Sequence, residues 1–296
     1  MEAYDITNLL KELKEDPHIF ICGPSYGNTK KSPKTKLRVY AHGGVLCELP
    51  TTQRAAIMLC HENYFKDEPS LRDNFNKLQN KEAAEKFLRD HRDKLVDIME
   101  KRFTSKGKNP EERSQQTAIA RAHTDFNQNG GTVVCDFESS LPKSMGQPNI
   151  DLVTFSMDKT GGGVFTLVEY KCNARACKAE KNGLKKHATD MQKCLNDPAT
   201  SAWYKEELLR RLGYMCRYGL LQHTPAVEHL RPEDVDLRAG FLFTSGVGLE
   251  GPEKAVELCE YHIWEDIRGM FLYCFAASPD KADLSKMVRW NKFKGG

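Results

Sequence analysis

The sequence predicts an α/β (α+β) fold with a central mixed β-sheet flanked by helices. From residue 106 onward, apolar periodicity follows the order helix, three strands, helix, strand, helix, strand, which is typical of a mixed sheet. The chain of 296 residues is long enough for one large domain or two modest ones. Its 40% hydrophobic and 29% charged residues are ordinary for a globular protein.

Residues 1–105 are predicted to form a separate N-terminal α+β region, for which substrate recognition is one role to consider. A helix is expected over 5–15, followed by strands at "HIFICG" and "KLRVYAHGGVLCEL" with an exposed basic loop, "NTKKSPKTK", between them. Helices are expected over 51–65 and 70–104. Glycine and proline in "TSKGKNPEER" then interrupt the pattern and predict the domain boundary.

Residues 106–296 are predicted to form the second domain. Helices are expected over 111–126, 179–196, 201–221 and "PEKAVELCEYHIWEDI". Strands are expected at "GGTVVCDFESSLP", "NIDLVTFSM", "VFTLVEYKCN", "AGFLFTSG" and "MFLYCFAAS". The second and third of these strands are joined by "DKTGGG", a turn sequence that predicts a β-hairpin.

Charge, cysteine usage and hydropathy indicate an intracellular protein that does not enter a membrane. The net charge of +3 permits a polyanionic partner without requiring one. No apolar signal-peptide core follows the N-terminus, and the longest apolar run is too short to span a bilayer. The ten cysteines include no C-x-x-C pair, so we expect free thiols in the cytoplasm or another reducing compartment, including the nucleus.

Three charged residues interrupt two of the predicted apolar strands. Glu169 and Lys171 lie two positions apart and therefore share one face of a strand, and Asp151 lies on the preceding strand of the hairpin. Two carboxylates and a main-chain carbonyl form an oxygen ligand set suited to Mg²⁺, and a nearby lysine can position a water or stabilise phosphate charge. This pattern favours metal-assisted phosphodiester hydrolysis. A cross-strand ion pair on a solvated sheet face is the alternative.

These residues resemble the PD-(D/E)xK nuclease superfamily, which has the restriction-endonuclease-like fold. The match covers Ile150-Asp151-Leu152 and Val168-Glu169-Tyr170-Lys171, although Pro148 stands three positions before the aspartate rather than next to it. The resemblance implies a Mg²⁺-dependent nuclease, with Mn²⁺ able to substitute. Asp151, Glu169 and the main-chain carbonyl of Tyr170 would be the metal ligands, and Lys171 would assist the attacking water.

The resemblance also suggests supporting residues. A further acid would lie at Glu138 or Glu112, and the helix after the Glu-x-Lys strand would contribute Gln192. Glu112 fits equally well as an ordinary acid in the first turn of a helix, and Gln192 as a polar flank of an apolar stripe. The histidines show no metal-ligand spacing and are not assigned to the site: His123, His187 and His262.

A cluster of basic residues follows the predicted site and suits contacts to a phosphate backbone: Arg175, Lys178, Lys181, Lys185 and Lys186. The expected partner is nucleic acid, and the resemblance implies DNA. The basic C-terminal segment adds Trp290 and Phe293, which would either stack on bases or anchor the segment by packing. Homodimer formation is left open. The alternative function is a non-catalytic nucleic-acid-binding or protein-interaction module that retains the nuclease fold.

Overall fold

A computed structural model describes most of the chain: residues 6–23, 36–51, 57–59, 65, 68–78, 80–104, 110–140, 149–225 and 227–295. The chain divides into two compact units, Met1–Arg121 and Ala122–Gly296. The sequence placed the division between residues 105 and 106. The first compact unit therefore contains about one helix more than the first domain predicted from the sequence.

The first unit contains an antiparallel sheet in the order β1-β2-β3-β4. Its strands are β1 (Ile19–Cys22), β2 (Lys36–Ala41), β3 (Gly44–Pro50) and β4 (Met58–Leu59). Its helices are α1 (Thr7–Glu15), α2 (Pro69–Asn76), α3 (Lys81–Thr104) and α4 (Pro110–Ala122), of which α4 ends one residue past the boundary. Phe87, Leu95 and Met99 are buried along α3 and Ile98 is half-buried, which gives the helix an apolar stripe.

The structure corrects three predictions in the first unit. The expected single strand "KLRVYAHGGVLCEL" is a hairpin that turns at His42 and Gly43, which have φ of 49° and 79°. The helix predicted over 51–65 is wrong at Met58–Leu59, which form β4. The helix predicted over 70–104 is two helices, α2 and α3. Within the predicted basic loop, residues 28–35 lie outside the described part of the chain.

The second unit contains a six-stranded mixed sheet in the order β10-β9-β8-β7-β6-β5. Its strands are β5 (Thr132–Ser140), β6 (Asn149–Met157), β7 (Gly163–Lys171), β8 (Val235–Thr244), β9 (Leu272–Ala276) and β10 (Val288–Arg289). Strands β5, β6 and β7 pair antiparallel, β7, β8 and β9 pair parallel, and β10 is antiparallel to β9. The prediction of a mixed sheet is confirmed.

The helices of this unit are α5 (Ala174–Lys178), α6 (Leu184–Asn196), α7 (Pro198–Arg217), α8 (Pro252–His262), α9 (Glu265–Arg268) and α10 (Trp290–Gly295). The sequence predicted helices in the regions of α6, α7 and α8–α9 with different boundaries, and it did not predict α5 or α10. The helix expected to begin at residue 179 begins at Leu184. The chain folds back tightly before it, since a Cβ at Gly183 would lie 2.1 Å from the carbonyl oxygen of Ala179. The helix expected over 252–267 is interrupted at Ile263, whose backbone is extended.

Strand β7 lies in the interior of the second unit. Each of its nine residues is buried, as expected for a strand covered on both faces. The rings of Phe155 and Phe165, which are register partners on β6 and β7, lie 5.0 Å apart between centroids. The solvated-face interpretation of the charges on β7 is therefore wrong, because Glu169 is 1% exposed and Lys171 is 3% exposed.

The cysteines in the described residues are free, as predicted, and all but Cys216 are buried. Cys60 lies outside the described part. Burial and, after it, the charges of Asp190 and Asp197 together raise the pKa of Cys194 to about 11, so this thiol stays protonated. In the described part of the chain, no helix has both the length and the apolar character needed to cross a bilayer.

Candidate active site

Asp151 lies where strands β6 and β7 begin to separate. The ladder between them ends at the pair Leu152 and Val168, and the next positions in the same register are Asp151 and Glu169. At this point the main-chain N–H of Tyr170 donates to Oδ2 of Asp151 over 2.8 Å. A buried backbone N–H requires an acceptor. The carboxylate of Asp151 thus supplies one to β7 where the ladder with β6 has ended.

The side chains of Glu169 and Lys171 meet on one face of β7. Residues two apart on a strand project in the same direction, and here Nζ of Lys171 lies 2.5 Å from Oε1 of Glu169. The Lys171 side chain is 4% exposed. Burying an unpaired ammonium at this position would be strongly unfavourable. The carboxylate therefore both neutralises the lysine and fixes the direction of its side chain.

His187 is the third group at this point, and it was not assigned from the sequence. It lies in the first turn of α6, and its Nε2 is 3.0 Å from Oε1 of Glu169. Burial alone would raise the pKa of Glu169, but the charges of Lys171 and His187 and hydrogen bonds from both lower it below the ordinary value of 4.5. Glu169 is therefore an ionised carboxylate in the interior of the unit.

The second oxygen of this carboxylate has no partner among the residues that the structure describes. There, Oε2 of Glu169 is buried without a hydrogen bond, and the same is true of Nδ1 of His187. An unsatisfied buried acceptor is costly, and the cost is higher when the group is charged. The described residues around Oε2 therefore fit a cation or a donor that they do not themselves supply.

Strand β5 carries a third acidic residue, Glu138, at the same level of the sheet as Asp151 and Glu169. Glu138 lies between the register pairs Phe137 with Leu152 and Ser139 with Ile150, so that its main chain is opposite Asp151. Its φ of 49° is in the left-handed region, which is uncommon for a residue other than glycine. Such backbone conformations concentrate at functional sites.

The three acids do not form a side-chain cage. In the described ranges, no three His, Cys, Asp or Glu side chains are grouped closely enough to hold a metal ion. Any ion bound at Asp151 and Glu169 would need main-chain oxygen and water to complete its coordination, which is usual for Mg²⁺.

Two other predicted residues lie elsewhere. Gln192 is half-buried on α6, five residues after His187, and so projects about 140° away from it around the helix axis. Glu112 is half-buried on α4, in the first compact unit. Helix α6 reaches Glu169 through His187. A histidine in the first turn of the helix that follows a Glu-x-Lys strand was the sequence signal that could have identified this contact.

Beside the site, a buried ion-pair network attaches α7 to β5. The guanidinium of Arg211 pairs with Asp136, and its Nε donates to Oε1 of Glu207 over 2.9 Å. Asp136 is 2% exposed. Burial raises the pKa of Glu207, and hydrogen bonding and charge from Arg210 oppose the increase. Because Arg211 neutralises Asp136, this acid has a structural role.

The predicted basic cluster is exposed on α5, on the segment after it and on the first turn of α6: Arg175, Lys178, Lys181, Lys185 and Lys186. Lys186 is paired with Asp190, one helical turn away. In the C-terminal segment, Trp290 and Phe293 are 9% and 8% exposed and pack with Tyr273. Base stacking is therefore the wrong interpretation of these two rings, and packing is the correct one.

Comparison with known proteins identifies no relative. The sequence matches no protein-family model and no curated protein, and no solved structure matches it.

Proposed function

We propose that this protein is a divalent-metal-dependent nuclease that hydrolyses phosphodiester bonds in DNA. The observation that carries the proposal is the state of Glu169: an ionised, buried carboxylate whose Oε1 is occupied by Lys171 and His187 and whose Oε2 has no partner. Asp151 lies on the adjacent strand, bonded to the main chain between Glu169 and Lys171. A hard cation satisfies such an oxygen better than any neutral donor.

The fold supports this assignment by its order of elements. Strands β5, β6 and β7, helix α6 and strand β8 follow one another in the order that the restriction-endonuclease-like core has after its first helix, with β5 to β7 antiparallel and β8 parallel to β7. Helix α4 precedes these elements in the sequence, but all except its last residue belongs to the first compact unit. The candidate carboxylates lie on the two central strands of this order. We therefore assign the second unit to that fold as part of the proposal.

Asp151, Oε2 of Glu169 and the main-chain carbonyl of Tyr170 would hold Mg²⁺, and Mn²⁺ would substitute for it. When bound, the ion supplies positive charge for the phosphate and lowers the pKa of a coordinated water. The side-chain amine of Lys171 is paired with Glu169. It is therefore suited to hold a water or a phosphate oxygen by donation, and to stabilise negative charge as the bond to the leaving oxygen breaks.

His187 acts as a positioning residue. Its Nε2–H donates to Oε1 of Glu169, which leaves Oε2 as the oxygen available to an ion. Partners of this kind fix the orientation of a metal ligand, and their loss weakens metal binding.

The test is cleavage by the purified full chain of supercoiled plasmid, linear duplex, single-stranded DNA and RNA, each with Mg²⁺, Mn²⁺ or EDTA. We expect cleavage of DNA with either metal ion and none with EDTA. Lys171→Met, which keeps the buried aliphatic stem, should abolish cleavage, whereas Lys159→Ala, at an exposed lysine in the β6–β7 turn, should retain it. Nucleic-acid binding without metal-dependent turnover would support the non-catalytic alternative instead.

A further inference from the structure

Two large aromatic side chains are exposed at the end of α8. Tyr261 is 84% exposed and Trp264, which follows at the start of α9, is 53% exposed. Single exposed apolar residues are normal on a protein surface. Two aromatic rings three positions apart, at the end of a helix that packs against α5 and α6, form a local surface instead.

Basic side chains lie among these rings. Nζ of Lys185 is 5.3 Å from the centroid of the Trp264 ring, within cation–π range. The ring of His262 is edge-on to that of Tyr261, with centroids 4.8 Å apart. Lys178 is exposed at the end of α5, a helix that packs against α8. We call the set Tyr261, Trp264, Lys178 and Lys185 the aromatic–basic surface.

The aromatic–basic surface is connected to the candidate active site through α6. Lys185, beside Trp264, and His187, bonded to Glu169, lie two residues apart in the first turn of that helix. Residues two apart project from nearly opposite sides of a helix. The surface and the buried carboxylate are therefore separated by about one helix diameter, ~10–12 Å.

We propose that the aromatic–basic surface binds single-stranded DNA, with bases stacked on Tyr261 and Trp264 and phosphates paired with Lys178 and Lys185. This inference rests on the proposed nuclease function for its choice of DNA. Exposed rings next to cations are the elements of single-strand recognition, because a ring can stack on the face of an unpaired base but not on one enclosed in a duplex. A protein partner fits less well, since lysine is depleted in protein–protein interfaces.

The acidic neighbours of the surface determine where the phosphates lie. Glu265 and Asp266 follow Trp264 directly, whereas Glu260 is neutralised by Lys294 at 2.5 Å. Phosphates are therefore expected on the side of the rings that faces α5 and α6, where Lys178 and Lys185 lie. A strand bound in this way runs toward the first turn of α6, which also carries His187.

Binding is tested in EDTA, so that no cleavage occurs, by fluorescence anisotropy of a labelled oligothymidylate and of a duplex of equal length. We expect the single strand to bind more tightly than the duplex. Trp264→Ala should weaken single-strand binding by about 5- to 150-fold, the loss of one stacked base. Trp264→Phe should recover part of the affinity. Trp203→Ala, which removes a partly exposed tryptophan of α7, is the control and should bind as the wild type does.

Salt dependence separates stacking from charge. Lys178→Ala and Lys185→Ala should each reduce the slope of log affinity against log salt by about 0.7, the value for one phosphate on a single strand. Trp264→Ala should leave the slope unchanged. Equal affinity for duplex, wild-type affinity of the Trp264→Ala variant, or tighter binding of the matching RNA would each overturn the proposal.

The result of the binding experiment does not depend on whether the protein cleaves DNA. Lys171→Met should keep single-strand binding in EDTA while losing cleavage with Mg²⁺. Metal-independent binding that depends on Trp264, combined with no cleavage by the wild type under any metal ion, would remove the nuclease function and leave the binding surface. Far-UV circular dichroism and urea unfolding of each variant confirm that an exposed position was changed without loss of the fold.

Discussion

Nζ of Lys171 and Oε1 of Glu169 are 2.5 Å apart, and the two side chains are 4% and 1% exposed. The two groups that are proposed to act on a phosphodiester are therefore also a buried ion pair of the second unit. Removing one member of such a pair is strongly destabilising, whereas replacing both members together is much less so. This dual character allows the contribution of the pair to stability to be measured apart from its contribution to catalysis.

Glu169→Leu and Lys171→Met should each lower the free energy of unfolding by about 3–5 kcal/mol, because each leaves one buried charge without its partner. The double variant should lose less than either single variant, since no uncompensated charge remains. Urea unfolding of the four proteins at neutral pH measures the difference. Additive losses would show that the two side chains do not depend on each other.

The stability of the protein should decrease in acid because of Glu169. Its pKa in the folded protein lies below the ordinary value of 4.5, so its ionised form contributes stability that is present above pH 4.5 and is lost as the pH falls through the folded value. Urea unfolding from about pH 6 to about pH 3 should show a shallower acid decline for Glu169→Gln than for the wild type. Parallel pH profiles would contradict the assignment.

His187→Ala should raise the Mg²⁺ concentration needed for half-maximal cleavage by about 10- to 100-fold, the usual effect of losing a residue that orients a metal ligand. His187→Gln should restore part of this loss, because its side-chain amide can donate to the same oxygen. Lys193→Ala, an exposed residue of the same helix, is the control. A change in the maximal rate with no change in metal requirement would argue against a positioning role.

Glu138 combines a carboxylate with a left-handed backbone at φ 49°. Glycine accepts this conformation without strain, so Glu138→Gly should match or exceed the stability of the wild type by up to about 1 kcal/mol, whereas Glu138→Val should be less stable by about 1–3 kcal/mol. Both variants should cleave DNA more slowly if the carboxylate acts at the site. Thermal unfolding and plasmid cleavage, measured in parallel, separate the conformational effect from the chemical one.

The strands of the second unit were predictable because the alternation of side chains along a strand depends only on neighbouring residues. Apolar runs separated by a glycine turn identified β6 and β7, and the two-residue period placed Glu169 and Lys171 on one face of β7. Periodicity alone could not exclude a solvated face, because a two-residue period separates the two faces of β7 without showing what covers either of them.

The contacts of α6 were not predictable in the same way. His187 reaches Glu169 only because the chain folds back at Gly183 and restarts a helix at Leu184, a bend that requires close approach of two backbone segments. No periodicity in the sequence marks this approach. The family resemblance indicated Gln192 instead, and the amphipathic pattern could not exclude it, since a polar residue beside an apolar stripe looks the same whether or not it contacts a site.

Oε2 of Glu169 has a consequence for how occupancy can be detected. Because the described part of the chain provides no donor to this oxygen, a cation that binds it adds to the stability of the native state by mass action, and an unfolded chain gains nothing comparable. The melting temperature is then a substrate-free readout of ion preference. Titrating different cations would rank them before any cleavable molecule is found.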